Sequence, residues 1–105
     1  MTQPTLFDPV EHHHRRAYDA FLADNGWVLT RLAHLALDLK RRGYHHYGIA
    51  ALVEVVRYEH ATTNDPSTDW KINNNYRAFL ARDLMALYPD LDGFFETRRS
   101  VADEK

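Results

Sequence analysis

At 105 residues and 12.3 kDa the chain is sized for one domain, residues 1–105, with a single modest core. A formal net charge of −2 sets it apart from dedicated nucleic-acid binders, which carry a basic excess, so any nucleic-acid surface has to be a local patch. The absence of cysteine excludes disulfides and thiolate metal sites and fits a cytosolic setting, and no apolar run approaches the roughly 18 residues of a membrane span.

The leading segment MTQPTLFDPVEHHH lacks a basic start followed by an apolar stretch, so no signal peptide is expected and the protein reads as soluble and cytoplasmic. Residues 1–7 read as a flexible lead. Asp8 before Pro9 is a natural helix cap with proline at the first helical position, and Glu11 completes a box-like start. Val10, His14, Ala17 and Phe21 follow at helical spacing until Asn25-Gly26, which predicts a first helix over 9–24.

The second segment, 27–42, is the clearest amphipathic helix. Val28, Leu32, Leu35 and Leu39 form one stripe, widened by Leu29, Ala33 and Ala36, with Thr30, His34, Asp38 and Arg41 opposite. Lys40, Arg41 and Arg42 suit the negative end of the helix dipole, and Gly43 stops the helix. After the connector Tyr44-His45-His46-Tyr47-Gly48, a third helix is predicted from residue 48 or 49 to about 61. Ile49, Ala50, Leu52, Val53, Val55 and Val56 cover nearly its whole circumference, so it reads as central and buried, with Glu54, Arg57, Glu59 and His60 at its edges. Residues 62–69, TTNDPSTD, form the one real loop. A fourth helix is predicted over 73–88, with Tyr76, Leu80, Leu84 and Leu87 inward and Pro89 as its stop. Phe94 and Phe95 then pack back as a short final helix or turn, and residues 100–105 fray. The expected fold is all-α, a bundle of four main helices whose short connections make the first three antiparallel neighbours.

Three candidate chemistries follow. Helix 4 begins with three asparagines where one cap is enough, and asparagine is costly inside a helix because its amide competes for backbone hydrogen bonds. Asn73 is assigned to the cap. Lys71, Asn74 and Arg77 share one flank at three-residue steps, with Ala78 and Ala81 low enough not to obstruct approach, and Asn75 and Arg82 lie on the other side. Asparagine pairs bidentately with adenine and arginine with guanine, so this flank is a candidate base reader, with Arg41 and Arg42 as phosphate contacts. The competing role for Asn74 and Asn75 is to bridge to a neighbouring loop. The junction of helices 2 and 3 resembles a helix-turn-helix in outline, but Ile49, Ala50, Ala51 and Leu52 occupy the turns that would face a groove, so helix 3 reads as core.

The second chemistry is protein recognition: Tyr44, Tyr47, Trp70, Tyr76, Phe94 and Phe95 suit an interface, or equally complete a small core. An apolar helix 3 also leaves room for a homodimer across a two-fold axis. The third is a metal-dependent enzyme using Glu11, His14, His45, His46 and His60. Consecutive histidines point about 100° apart on a helix, so Glu11 and His14 can ligate only as a pair, and no zinc motif is present. No cofactor and no catalytic residue are expected; Glu54, Arg57 and Glu59 read as a surface ion-pair set rather than a catalytic dyad.

GYHHYGIAALVEVVRYEH, a short polar loop and WKINNNYRAFLARDLMALYPDLDGFFETRRS together resemble a group of small bacteriophage and prophage proteins over roughly residues 27–100. The most specific part is the K-I-N-N-N-Y segment followed by A-R, P-D-L and F-F-E-T-R. The resemblance carries no activity, cofactor or site residue with it. It implies a context, the cytoplasm of an infected or lysogenic bacterium, where small helical proteins often bind DNA or modulate host machinery.

Overall fold

The computed structural model describes residues 9–67 and 70–96, with side chains from His13 onward. The expectations placed on residues 1–7, on the Asp8 and Glu11 caps and on residues 100–105 lie outside the described residues. The fold is all-α: helices α1 (Pro9–Asp24), α2 (Trp27–Arg41), α3 (Ile49–Thr63) and α4 (Arg77–Leu87), with one-turn 3-10 helices at Asn74–Tyr76 and Pro89–Leu91.

α2 follows the sequence pattern with one shift. Val28, Leu32, Ala33 and Ala36 are fully buried, whereas Leu35 and Leu39 are only half-buried. The small residues at 33 and 36 let a neighbouring helix approach closely, which moves the contact line toward them. Gly43 adopts φ +105°, a conformation that L side chains rarely take, and turns the chain away after Arg42. Arg31, early in α2, pairs with Glu59, late in α3, so the two helices run antiparallel.

α1 does not lie along α2 as a bundle neighbour. It packs on the 70–83 segment instead, through Tyr18, which is fully buried against Phe79 and Tyr76 and donates its hydroxyl to Asp83 Oδ2 at 2.5 Å. Burial first, and then the bond to the Asp83 carboxylate, push the Tyr18 phenol above its ordinary range. Tyr18 shares the His14/Phe21 face at helical spacing. Phe21 continues the contact, stacking near Tyr76 and Trp70.

α3 departs most from expectation. Leu52, Val53 and Val56 are buried, but Ala51 and Val55 face solvent, because only one side of the helix is covered. α4 begins later than the pattern predicts: residues 74–76 form a 3-10 turn and α-helix starts at Arg77. Leu80 and Leu84 are buried while Leu87, expected inward, is 61% exposed in the last turn, beyond the reach of α2 and α3. After Pro89 the chain doubles back through Gly93 (φ +74°) and seats Leu91, Phe94 and Phe95 in the core, where Phe94 C=O accepts from the Tyr47 N–H. Phe94 and Phe95 therefore complete the core rather than an interface. Among the described residues no helix is long and apolar enough to cross a membrane.

Candidate functional site

The three asparagines each have a separate structural partner. Asn73 caps, as expected: its Oδ1 accepts from the Asn75 N–H at 2.8 Å, although the turn it caps is 3-10. Asn74 Oδ1 accepts from Arg57 of α3 at 2.8 Å. The same guanidinium donates to the carbonyl of buried Ile72 at 2.5 Å and pairs with Glu54, so Arg57 fastens α3 to the segment that leads into α4. Asn75 is exposed, and its amide nitrogen lies 3.4 Å from His14 Nε2 of α1. The triplet thus caps its own turn and ties it to α3 and α1, which offsets the cost of asparagine there.

The other residues of the proposed reader are dispersed. Lys71 and Arg82 are exposed, and among the described residues neither has a carboxylate partner. Arg77 is half-buried and its Nε reaches the Asn74 carbonyl at 3.3 Å. Ala78 and Ala81 do form an open floor: with Ile49 and Ala50 they line a cleft of about 380 Å³ edged by Asn74, Asn75, Arg77 and Glu96. Arg41 and Arg42 stand far along the fold, both paired with Asp38 at 3.2 and 2.9 Å. The hydrogen bond from Arg42 holds the Asp38 carboxyl below the usual carboxylate range.

Glu54, Arg57 and Glu59 do not form one set. Arg57 takes Glu54, whereas Glu59 accepts a two-pronged bond from Arg31 at 2.9 and 2.6 Å. That bond lowers the Glu59 pKa. The histidines are likewise separated. His14 meets Asn75, His45 and His46 are exposed in the 44–48 connector before α3, and His60 lies in the last turn of α3, roughly 16 Å from its start at the helical rise. Among the described residues no three His, Cys, Asp or Glu side chains are grouped to hold a metal. The Glu11 side chain lies outside the described residues.

Two features escaped the sequence reading. Trp27, His60 and Trp70 form one cluster of near-parallel rings, with His60 and Trp70 centred 4.0 Å apart and 15° from parallel. Their positions are too far apart in sequence for any local pattern to reveal. The second is an outward stripe on α3, where Ala51, Val55, Tyr58 and Thr62 recur at steps of four, three and four, directly opposite the buried face. Val55 is 38% and Tyr58 71% exposed, and no charged side chain lies on that line. This spacing was present in the sequence, hidden inside an all-round apolar helix.

The described residues form a small all-helical domain. Compared with protein-family models, with curated proteins and with solved structures, the chain shows no match.

Proposed function

We propose that this protein is a non-enzymatic regulatory domain that works by docking on another protein, in the phage-infected or lysogenic bacterial cytoplasm that its sequence resemblance suggests. The observation that carries this reading is the outward stripe of α3. Ordinary solvent-facing helix positions are charged or polar, whereas this line is Ala51, Val55, Tyr58 and Thr62. A 3.5-residue repeat of this kind is the seam by which one helix takes another, and an exposed tyrosine is a common anchor of such contacts. Charge agrees with this: Arg15, Arg31, Arg41, Arg42 and Arg57 are each paired with a carboxylate of the chain itself, and the formal net charge of −2 lacks the basic excess of dedicated phosphate-backbone binders.

The test is capture from nuclease-treated bacterial lysate by the wild type and by Val55→Asp/Tyr58→Asp. The expected result is a partner that survives nuclease and is lost with the double variant, which keeps its helical circular dichroism. Capture that disappears with nuclease, or persists in the variant, overturns the reading. A second copy of the chain as that partner appears as a concentration-dependent mass in sedimentation.

A second reading, nucleic-acid binding at the start of α4, is favoured by one observation: Lys71 and Arg82 are exposed and, among the described residues, neither has a carboxylate partner. Of its proposed contacts, Asn74 and Arg77 already bond within the fold, so base reading has to use the Asn74 amide nitrogen and the free arms of Arg77. Binding that weakens steeply with salt and is lost in Arg82→Gln as well as in Lys71→Gln supports it; no binding to duplex or single strand at low salt removes it.

A further inference from the structure

The chain has two tryptophans, and both belong to the ring cluster with His60. A cluster that served only to close the core would bury its rings. Here Trp27 is 44% exposed and lines an open cleft on one side of the cluster, Trp70 lines a second cleft on the loop side, and His60 stands between the two and lines both. The cleft on the loop side, about 330 Å³, is bounded by Arg57, His60, Asp65, Pro66, Trp70 and Lys71. That volume lies at the lower end of small-ligand sites and suits a single nucleotide.

The polar groups around it divide by role. Arg57 is committed to Glu54, Ile72 and Asn74, whereas Lys71 is the cation of this cleft with no carboxylate partner among the described residues. Asp65 accepts from the Ser67 N–H at 2.9 Å, which keeps its carboxyl below the usual range and ionised, an acceptor for hydroxyl or amino groups. Flat π surfaces, one exposed ammonium and one acceptor match a molecule with a planar heteroaromatic ring, hydroxyls and one phosphate.

We propose that the Trp27–His60–Trp70 cluster and its adjoining cleft bind a nucleotide, with the base stacked on the rings, the phosphate at Lys71 and the ribose hydroxyls toward Asp65. Stacking of this kind tolerates any base, because every base has a π face. The same chemistry comes from a free mononucleotide or from one residue of a single strand. The site does not depend on the outward stripe of α3.

Because both tryptophans lie in the cluster, intrinsic fluorescence reads it directly. Titration with adenosine monophosphate is expected to quench saturably, with Lys71→Gln weakening binding several-fold and adenosine, which lacks phosphate, binding equally to both proteins. Saturation by a single-stranded oligoadenylate but not by the mononucleotide, with the same Lys71 dependence, assigns the ligand to a strand. Val55→Asp/Tyr58→Asp leaves every titration unchanged, so failure of protein docking and failure of this site are told apart. No saturable change with either probe up to about 10 mM, or a change insensitive to Lys71→Gln, overturns the proposal. Lys71 is exposed, so that variant retains the fold.

Discussion

The two faces of α3 have nearly the same composition and opposite fates. Leu52, Val53 and Val56 are buried against α2 and α4, and Ala51, Val55 and Tyr58, interleaved with them, meet solvent. Between the faces run two shoulders, each held to a neighbouring segment: Arg57 by hydrogen bonds to the Ile72 carbonyl and to Asn74, and Glu59 by its ion pair with Arg31 of α2. The shoulders set the rotation of the helix and so decide which apolar line is core and which is left for a partner. Hydrophobicity alone does not make that choice.

The contrast is tested most strongly by truncation on each face. Leu52→Ala removes a buried side chain and leaves a cavity, which is expected to cost about 2–5 kcal/mol in chemical denaturation. Val55→Ala deletes a comparable apolar group from the outward line and is expected to stay within about 0.5 kcal/mol. Equal costs would mean that the outward line is covered in the folded protein, and the proposed docking surface would not exist.

This contrast also marks what the sequence makes legible. In α2 the apolar stripe has a polar face opposite, so its period alone places Val28 and Leu32 in the core. In α3 apolar residues occur all round, and a period of 3.6 fits several rotations, so the buried set depends on tertiary neighbours. The corner at 70–77 shows the same limit. The capping chemistry of Asn73 is local and readable, but the partners of Asn74 and Asn75 lie 17 and 61 positions away, on α3 and α1. Arg41 and Arg42 look like free phosphate contacts by sequence until Asp38, one turn earlier, is seen to hold both.

The Arg57 shoulder gives a sharper test of smaller size. Arg57→Ala leaves the Ile72 carbonyl without its donor and frees the 70–77 segment, at an expected cost of about 1–3 kcal/mol. Asn74→Ala removes one of the contacts of Arg57 and is expected to cost roughly 0.5–1 kcal/mol. Asn73→Ala deletes a cap at about 1 kcal/mol. If Asn74→Ala leaves stability unchanged while abolishing binding to nucleic acid, the reader role returns to that residue.

The Glu59 shoulder carries the smallest effect, and pH is the way to see it. The two-pronged bond from Arg31 stabilises the carboxylate, so its pKa in the folded chain lies below the unfolded value. A depressed carboxyl pKa contributes stability that is complete above the unfolded pKa, roughly 4.3, and is lost as pH falls through the folded value. Both side chains are more than a third exposed, so solvent screening limits the contribution to at most about 1 kcal/mol. Melting temperature followed from pH 6 to about 3 should therefore fall less steeply in Glu59→Gln than in the wild type, with the difference shrinking in high salt. Identical slopes would show that the Arg31–Glu59 pair does not fix α3 against α2. The rotation that exposes Val55 and Tyr58 would then rest on Arg57 and the buried face alone.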